Sequence, residues 1–165
     1  MADTTPTARG AFQKTLFQGD ADVVPTIAEL YRRYGAAIYA HCRRLLGSPT
    51  LARDAVQESF VRVLQHQRNL GPGEQALRYL YRTSTNVCIN QLRQRTVREK
   101  AAPEIAARST EREAGASVSD RQFARLLLER CDDRSAEIAI MHYIDGMTQV
   151  EVAATLGITR RTVFN

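Results

Sequence analysis

Gly146-Met-Thr-Gln-Val-Glu-Val-Ala-Ala-Thr-Leu-Gly-Ile-Thr-Arg-Arg-Thr-Val163 carries the signals on which the fold class turns. Thr148 and Glu151 have the spacing at which two side chains cap a helix start reciprocally. Val150, Val152, Ala153 and Leu156 then mark out a short helix. Gly157 can adopt the left-handed backbone that ends a helix in a sharp turn. Thr159 can cap one further helix, which opens with Arg160, Arg161 and Thr162. Two short helices, a glycine turn and a basic second tip have helix-turn-helix spacing. Ala153 permits a close crossing, while Ile158 and Val163 hold the second helix on the first. In that arrangement the second helix projects polar side chains from its start into a DNA major groove. The alternative is an αα-hairpin inside a structural bundle.

Upstream of this motif, Ala136–Tyr143 forms a helix ended by Asp145-Gly146. Ser119-Asp-Arg-Gln122 has capping-box spacing and opens another helix, with Phe123, Leu126 and Leu127 facing inward. From 101 to 118, Ala, Glu, Arg, Ser and Thr dominate, and Ile105 and Val118 are the only large aliphatics. Such a segment cannot repay its ordering entropy by burial and reads as a linker. Before it, Leu30, Tyr34, Ile38, Cys42 and Leu45 recur at helical spacing, with Gly47 as the stop. Ser48 caps a second helix with Pro49 in its first turn. That helix runs to about Gln67 and buries Ala52, Val56, Phe60, Val63 and Leu64. After the loop Asn69–Gly73, a third helix spans Glu74 to Arg98, with Leu77, Leu80, Ser84, Val87 and Leu92 on one side. Residues 1–22 read as a loosely ordered arm with an apolar patch at Phe12, Leu16 and Phe17. No stretch alternates with period two. The expected fold is all-α: two small helical domains, 23–100 and 119–165, joined by a flexible linker at 101–118, the second a helix-turn-helix domain.

The chain has 165 residues, 44% of them hydrophobic and 25% charged, which suits a packed core and excludes wholesale disorder. No apolar run approaches the ~20 residues of a membrane span, and Met1–Gly10 lacks the basic start and apolar middle of a secretory signal. Cys42, Cys88 and Cys131 are an odd, scattered set that fits reduced thiols. A soluble cytoplasmic protein without membrane insertion is expected. Enzyme chemistry has little support: His41, His66 and His142 are scattered, no phosphate-binding glycine loop occurs, and no metal or cofactor is expected. A satisfied structural role fits these histidines.

The formal net charge is +5, and its placement is more informative than its size. Arg78, Arg82, Arg93, Arg95, Arg98 and Lys100 face a single acid, Glu99, within 78–100, so the remaining chain is balanced. A concentrated basic strip in a balanced protein is the footprint of a polyanion partner, usually nucleic acid. The plain alternative is a solvated helix face.

Taken together, these pieces resemble the extracytoplasmic-function (ECF) bacterial sigma factors over roughly residues 27–98 and 123–165. Leu30-Tyr-Arg-Arg-Tyr34 followed by Ala52-Arg-Asp-Ala-Val-Gln-Glu-Ser-Phe-Val-Arg62 is similar to the family's polymerase-binding helix. Tyr79-Leu-Tyr-Arg-Thr-Ser-Thr-Asn86 through Asn90-Gln-Leu-Arg93 matches the promoter-melting helix in spacing, and 146–163 resembles the upstream-element reader. The resemblance implies that Asp54, Gln57, Glu58 and Arg62 meet core RNA polymerase. It implies that Arg78, Tyr79, Arg82, Asn86, Asn90, Arg93, Arg95 and Arg98 hold the melted downstream element of promoter DNA. Arginines there contact phosphates, Asn86 and Asn90 offer donors and acceptors to base edges, and Tyr79 and Tyr81 can stack on unpaired bases. The loop Asn69–Gln75 is a candidate pocket for an extruded base. Thr159, Arg160, Arg161, Thr162 and Asn165 would read the upstream element.

The resemblance also implies an anti-sigma protein as a partner, a monomer when free, and melting driven by binding rather than ATP. Three features depart from the family. There is no Trp, Tyr79 standing in that neighbourhood; Asn90 stands where Asp is common; and Arg130-Cys-Asp-Asp-Arg134 replaces a proline-containing cap. The last helix reaches only Asn165, so the second domain is expected to be truncated and to unfold separately at low temperature. The competing function is an autonomous helix-turn-helix regulator that binds duplex DNA as a dimer without polymerase.

Overall fold

A computed structural model describes residues 24–102 and 118–164. The expected N-terminal arm, most of the linker and Asn165 lie outside the described residues. Helix α1 spans Ile27–Leu46. Thr26 Oγ1 accepts from the Glu29 N–H at 3.2 Å, and Glu29 accepts from the Thr26 N–H at 2.8 Å. The helix ends at Gly47, whose φ of 75° requires glycine. Ser48 then caps α2, Pro49–Gln65, by accepting from the Leu51 N–H. A single 3-10 turn, Gln67–Asn69, leads to α3, Glu74–Ala101. The inward positions read from helical spacing on these three helices are buried with one exception. Leu64 is 53% exposed, because the core edge passes through Val63 and leaves the last turn of α2 on the rim.

The second half comprises α4 (Val118–Arg130), α5 (Asp133–Ala139), α6 (Gln149–Leu156) and α7 (Arg160–Phe164). No strand occurs among the described residues, as expected of an all-α chain. Helix α4 starts at Val118, so Ser119 lies inside it rather than capping it. Its buried line runs through Asp120 and Ala124 to Leu127 and Leu128, four, seven and eight residues on. Phe123 and Leu126 therefore point outward, at 38% and 49% exposure, against the expected orientation. The motif at 148–163 folds as its spacing predicts. Thr148 and Glu151 cap each other, Gly157 is left-handed at φ 65°, and Thr159 Oγ1 accepts from the Thr162 N–H at 3.2 Å. Val150 alone departs, facing solvent at the first turn.

The helix expected at 136–143 does not run straight. After Ala139 it widens into a π-helical turn, Ile140–Ile144, closed by an Asp145 N–H bond to the Ile140 carbonyl at 3.1 Å. Such a turn inserts a residue into the α pitch. Here Ile144 and Asp145, adjacent in sequence, are both buried.

These two residues join the halves. Helix α4 packs on α1, and α3 touches α4, α5 and α6. Ile140, Met141, Ile144 and Met147 belong to the same buried cluster as Ile38, Leu45, Leu77 and Leu80. Asp145, with no side-chain exposure, accepts from three donors of the first half. They are His41 Nδ1 at 3.0 Å, Arg44 Nη2 at 2.9 Å and the Tyr81 hydroxyl. A carboxylate only accepts, so His41 carries its proton on Nδ1, and Nε2 meets the Thr85 hydroxyl at 3.0 Å.

Removing one partner of a buried charged network leaves the rest unsatisfied and costs about 3–5 kcal/mol. Asp145→Ala is expected to lower the unfolding free energy by that amount in a urea titration followed by circular dichroism. A loss below about 1 kcal/mol would contradict the role given to this carboxylate.

Candidate nucleic-acid and partner interface

Two faces and one helix tip collect the residues singled out in the sequence. On α2, Val56 and Phe60 are buried while Asp54, Gln57 and Glu58 are exposed on the opposite side. Helical pitch alone gives this division, since positions three and four apart share a face. Arg62 is half-buried and pairs with Glu58 one turn away. Asp54 and Gln57 also border an open groove of ≈ 820 Å³ between α1 and α2, walled by Tyr31, Tyr39 and Val56. An acidic-amide strip beside an apolar groove can receive a helix that presents both basic and apolar side chains.

The second face lies on α3, where the basic strip is largely engaged. Arg78 pairs with Glu74, and Arg95 Nε reaches Glu99 at 2.9 Å. Glu99 also takes Arg125 of α4. Desolvation pushes the Glu99 carboxyl up, but the two arginine bonds outweigh it and hold it below its ordinary range. Arg93 pairs with Asp133, and Arg82 Nε lies 3.6 Å from Glu137, both acids on α5. The Asn86 amide also favours the charged form of Glu137. Asn90 and Arg98 are exposed. Tyr79 is half-buried, its ring 6.0 Å from that of His66.

Tyr81 departs from the expectation. It is fully buried, donates to Asp145 and is closed to any base. Its position on α3 puts it one turn below Thr85, on the face covered by α1 and the 140–145 segment. Burial above all, and then the Asp145 charge, push its hydroxyl well above the ordinary tyrosine range. In the loop expected to take an extruded base, Leu70 is buried and a Cβ at Gly71 would collide with the Gln75 side chain.

At the third location, Thr159, Arg160, Arg161 and Thr162 are all exposed. Arg160 Nε contacts Gln149 Oε1 at 3.4 Å, linking the two helices of the motif at their polar edge. The described residues hold no group of three His, Cys, Asp or Glu suited to a metal, and no helix long and apolar enough to cross a membrane. Cys42 and Cys88 are buried free thiols, and Cys131 is half-buried.

Sequence reasoning missed His41, Asp133, Glu137 and Asp145 as parts of this region. Asp145 reads as a helix stop beside Gly146, and nothing local signals a carboxylate that must find donors 64 to 104 residues away. His41, on an otherwise apolar helix face, is the one visible hint.

Glu137 carries a testable consequence. Burial raises its pKa above the ordinary glutamate value, although Arg82, Arg134 and Asn86 act in the opposite direction. The folded chain therefore holds this proton more tightly than the unfolded one. Stability contributed by the neutral form is present at acid pH and is lost as pH rises through the folded pKa. Glu137→Gln, which keeps the shape without the charge, is expected to raise Tm relative to wild type near pH 7. That gain should shrink towards zero below about pH 4. A gain independent of pH, or a loss at neutral pH, would contradict it.

Comparison with known proteins gives four relationships. Residues 30–98 match the model of the Sigma-70 region 2 family. The chain is 29% identical over 164 residues to the ECF RNA polymerase sigma factor SigE of Mycolicibacterium smegmatis, a match covering 96% of this chain but 62% of that relative. It is 24% identical over 165 residues to the ECF RNA polymerase sigma factor SigW of Bacillus subtilis, covering 91% and 86%. Among solved structures it is similar to CnrH in complex with the cytosolic domain of CnrY, with a TM-score of 0.46 and 19% identity over 94% of this chain and 86% of that one.

Proposed function

Because residues 30–98 match the Sigma-70 region 2 family and the chain is similar along most of its length to ECF RNA polymerase sigma factors, we propose that it is one of them, binding core RNA polymerase and directing it to promoters at transcription initiation. The observation that carries this reading is the exposed Asp54–Gln57–Glu58 face, which lies within the Sigma-70 region 2 match while Val56 and Phe60 on the same helix serve the core. A face with acids and amides outward is chemically suited to a basic helix of the polymerase clamp. The exposed Arg160, Arg161 and Thr162 at the tip of α7 support duplex reading of the upstream element. Asn86, Asn90 and the α3 arginines are the proposed captors of the melted downstream strand. With Tyr81 buried, stacking falls to Tyr79 alone. One base stacked on an aromatic ring contributes about 1–3 kcal/mol. Opening costs about 1.4 kcal/mol per base-pair step, so that one contact offsets a step or two. An anti-sigma protein is the proposed regulatory partner.

The test is a pull-down of purified bacterial core polymerase at ~150 mM salt. Wild type is expected to be retained. Asp54→Arg is expected to bind at least about tenfold more weakly, or 1.4 kcal/mol, through like-charge repulsion. Asn86→Ala is expected to keep core binding and lose open-complex formation, read by permanganate footprinting of unpaired thymines. A folded wild-type monomer that ignores polymerase would overturn the proposal and favour a regulator acting on duplex DNA alone.

A further inference from the structure

We propose that Gln149 is a positioning residue for the upstream element: it holds Arg160 by one nitrogen and leaves the end of that guanidinium to read a guanine. The inference rests on the proposed duplex reading by the tip of α7, and adds to it a second residue and the identity of one base.

Gln149 is the first residue of α6 and Arg160 the first of α7, with the Gly157 turn between the two helices. That turn brings the helix starts together, and Arg160 Nε lies 3.4 Å from Gln149 Oε1. A guanidinium carries only donors, so the amide has to meet it with its oxygen. Among the described residues Arg160 makes no other hydrogen bond or ion pair. Gln149 is half-buried, and with Thr162 and Val163 it lines a cavity of ≈ 400 Å³ bordered by α5, α6 and α7. Thr148 and Glu151 cap the helix under Gln149, and Thr159 caps the helix under Arg160. Both side chains therefore leave from fixed backbone.

The tether has two consequences for a base. A long arginine at an exposed tip loses rotamer freedom when it binds, and a partner that orders it beforehand reduces that loss. The tether also chooses the edge. With Nε engaged, the two Nη groups remain, and their fork matches O6 and N7 of guanine in the major groove. Adenine puts a donor where guanine has O6, so one arm of the fork finds no acceptor there. Arg161 is exposed beside Arg160 and has no such tether among the described residues. It suits a phosphate, which carries no base information.

The experiment starts from a pool of duplexes randomised over ~10 base pairs, one turn of DNA. The pool is selected in parallel by the chain with core polymerase and by the chain alone. Wild type is expected to enrich a guanine at one position. Fluorescence anisotropy on that duplex and its three single-base variants then gives a preference ratio, expected to be about tenfold for wild type and absent in Arg160→Ala. Gln149→Leu is expected to lower it to about threefold. Gln149→Glu, which keeps an acceptor for Nε, is expected to restore it whatever its added charge does to overall affinity. In the Arg160→Ala background, Gln149→Leu should change the ratio no further. Arg161→Ala should weaken all four duplexes alike.

A Gln149→Leu chain as selective as wild type would overturn the proposal. So would a loss of affinity equal on all four duplexes with a lowered Tm, the mark of a contact that only holds two helices together. A selection in which no enriched base depends on Arg160 would overturn it as well. The two arms keep this inference apart from the reading beneath it. If polymerase retains nothing while the chain alone shows the coupled ratios, the positioning stands and the sigma-factor role falls. If polymerase is bound and Gln149 leaves the ratio unmoved, the role stands and the positioning falls.

Discussion

A carboxylate with no solvent exposure has to be met by donors, and Asp145 is met by His41, Arg44 and Tyr81 together. All three come from α1 and α3, whereas Asp145 belongs to the turn that precedes the helix-turn-helix. The rest of the arrangement follows from that constraint. The π turn at 140–144 delivers the carboxylate, Ile140, Met141 and Ile144 fill the space around it, and α5 is laid along α3. Apolar burial supplies most of the attraction but is non-directional. The buried carboxylate supplies the direction, because its three donors are fixed on α1 and α3.

That register has an electrostatic consequence. Laying α5 along α3 puts Asp133 and Glu137 among arginines that would otherwise form an open positive surface. Glu137 is charged only against its desolvation, and its raised pKa records that the arginines do not fully compensate it. An acid kept in an unfavourable place beside Arg82 and Asn86 adds little to stability. The α2 face and the tip of α7 remain open in the same arrangement. The proposed polymerase contact and the helix-turn-helix tip are therefore both accessible in this arrangement.

Much of the fold was legible from local chemistry. Gly47, Ser48–Pro49, Thr148–Glu151 and Gly157 each encode a helix end through a neighbour no more than a few residues away, and each end falls where the spacing predicts. The exposed face of α2 follows from its pitch. Leu64 and Val150 are misread at the rim of a helix, and the larger errors share one cause, contact between the halves. Tyr81 looks like an exposed aromatic on a basic helix until the 140–145 segment covers it. Phe123 and Leu126 look inward-facing until Ala124 proves to be the residue that lets α4 approach its neighbours. The π turn has no local signature, since it answers the need of Asp145 for donors set far away in sequence.

In the free chain the second half is seated on α1 and α3 through Asp145. The most direct test is a dipolar distance between spin labels on Arg53→Cys and Ser135→Cys, both exposed sites, with Cys131→Ser to remove the accessible native thiol. One narrow distance distribution in the free protein is the expected result, broadened and lengthened when Asp145→Asn is added. A broad distribution in the free protein itself, unchanged by Asp145→Asn, would mean two halves on a loose tether and would contradict the account.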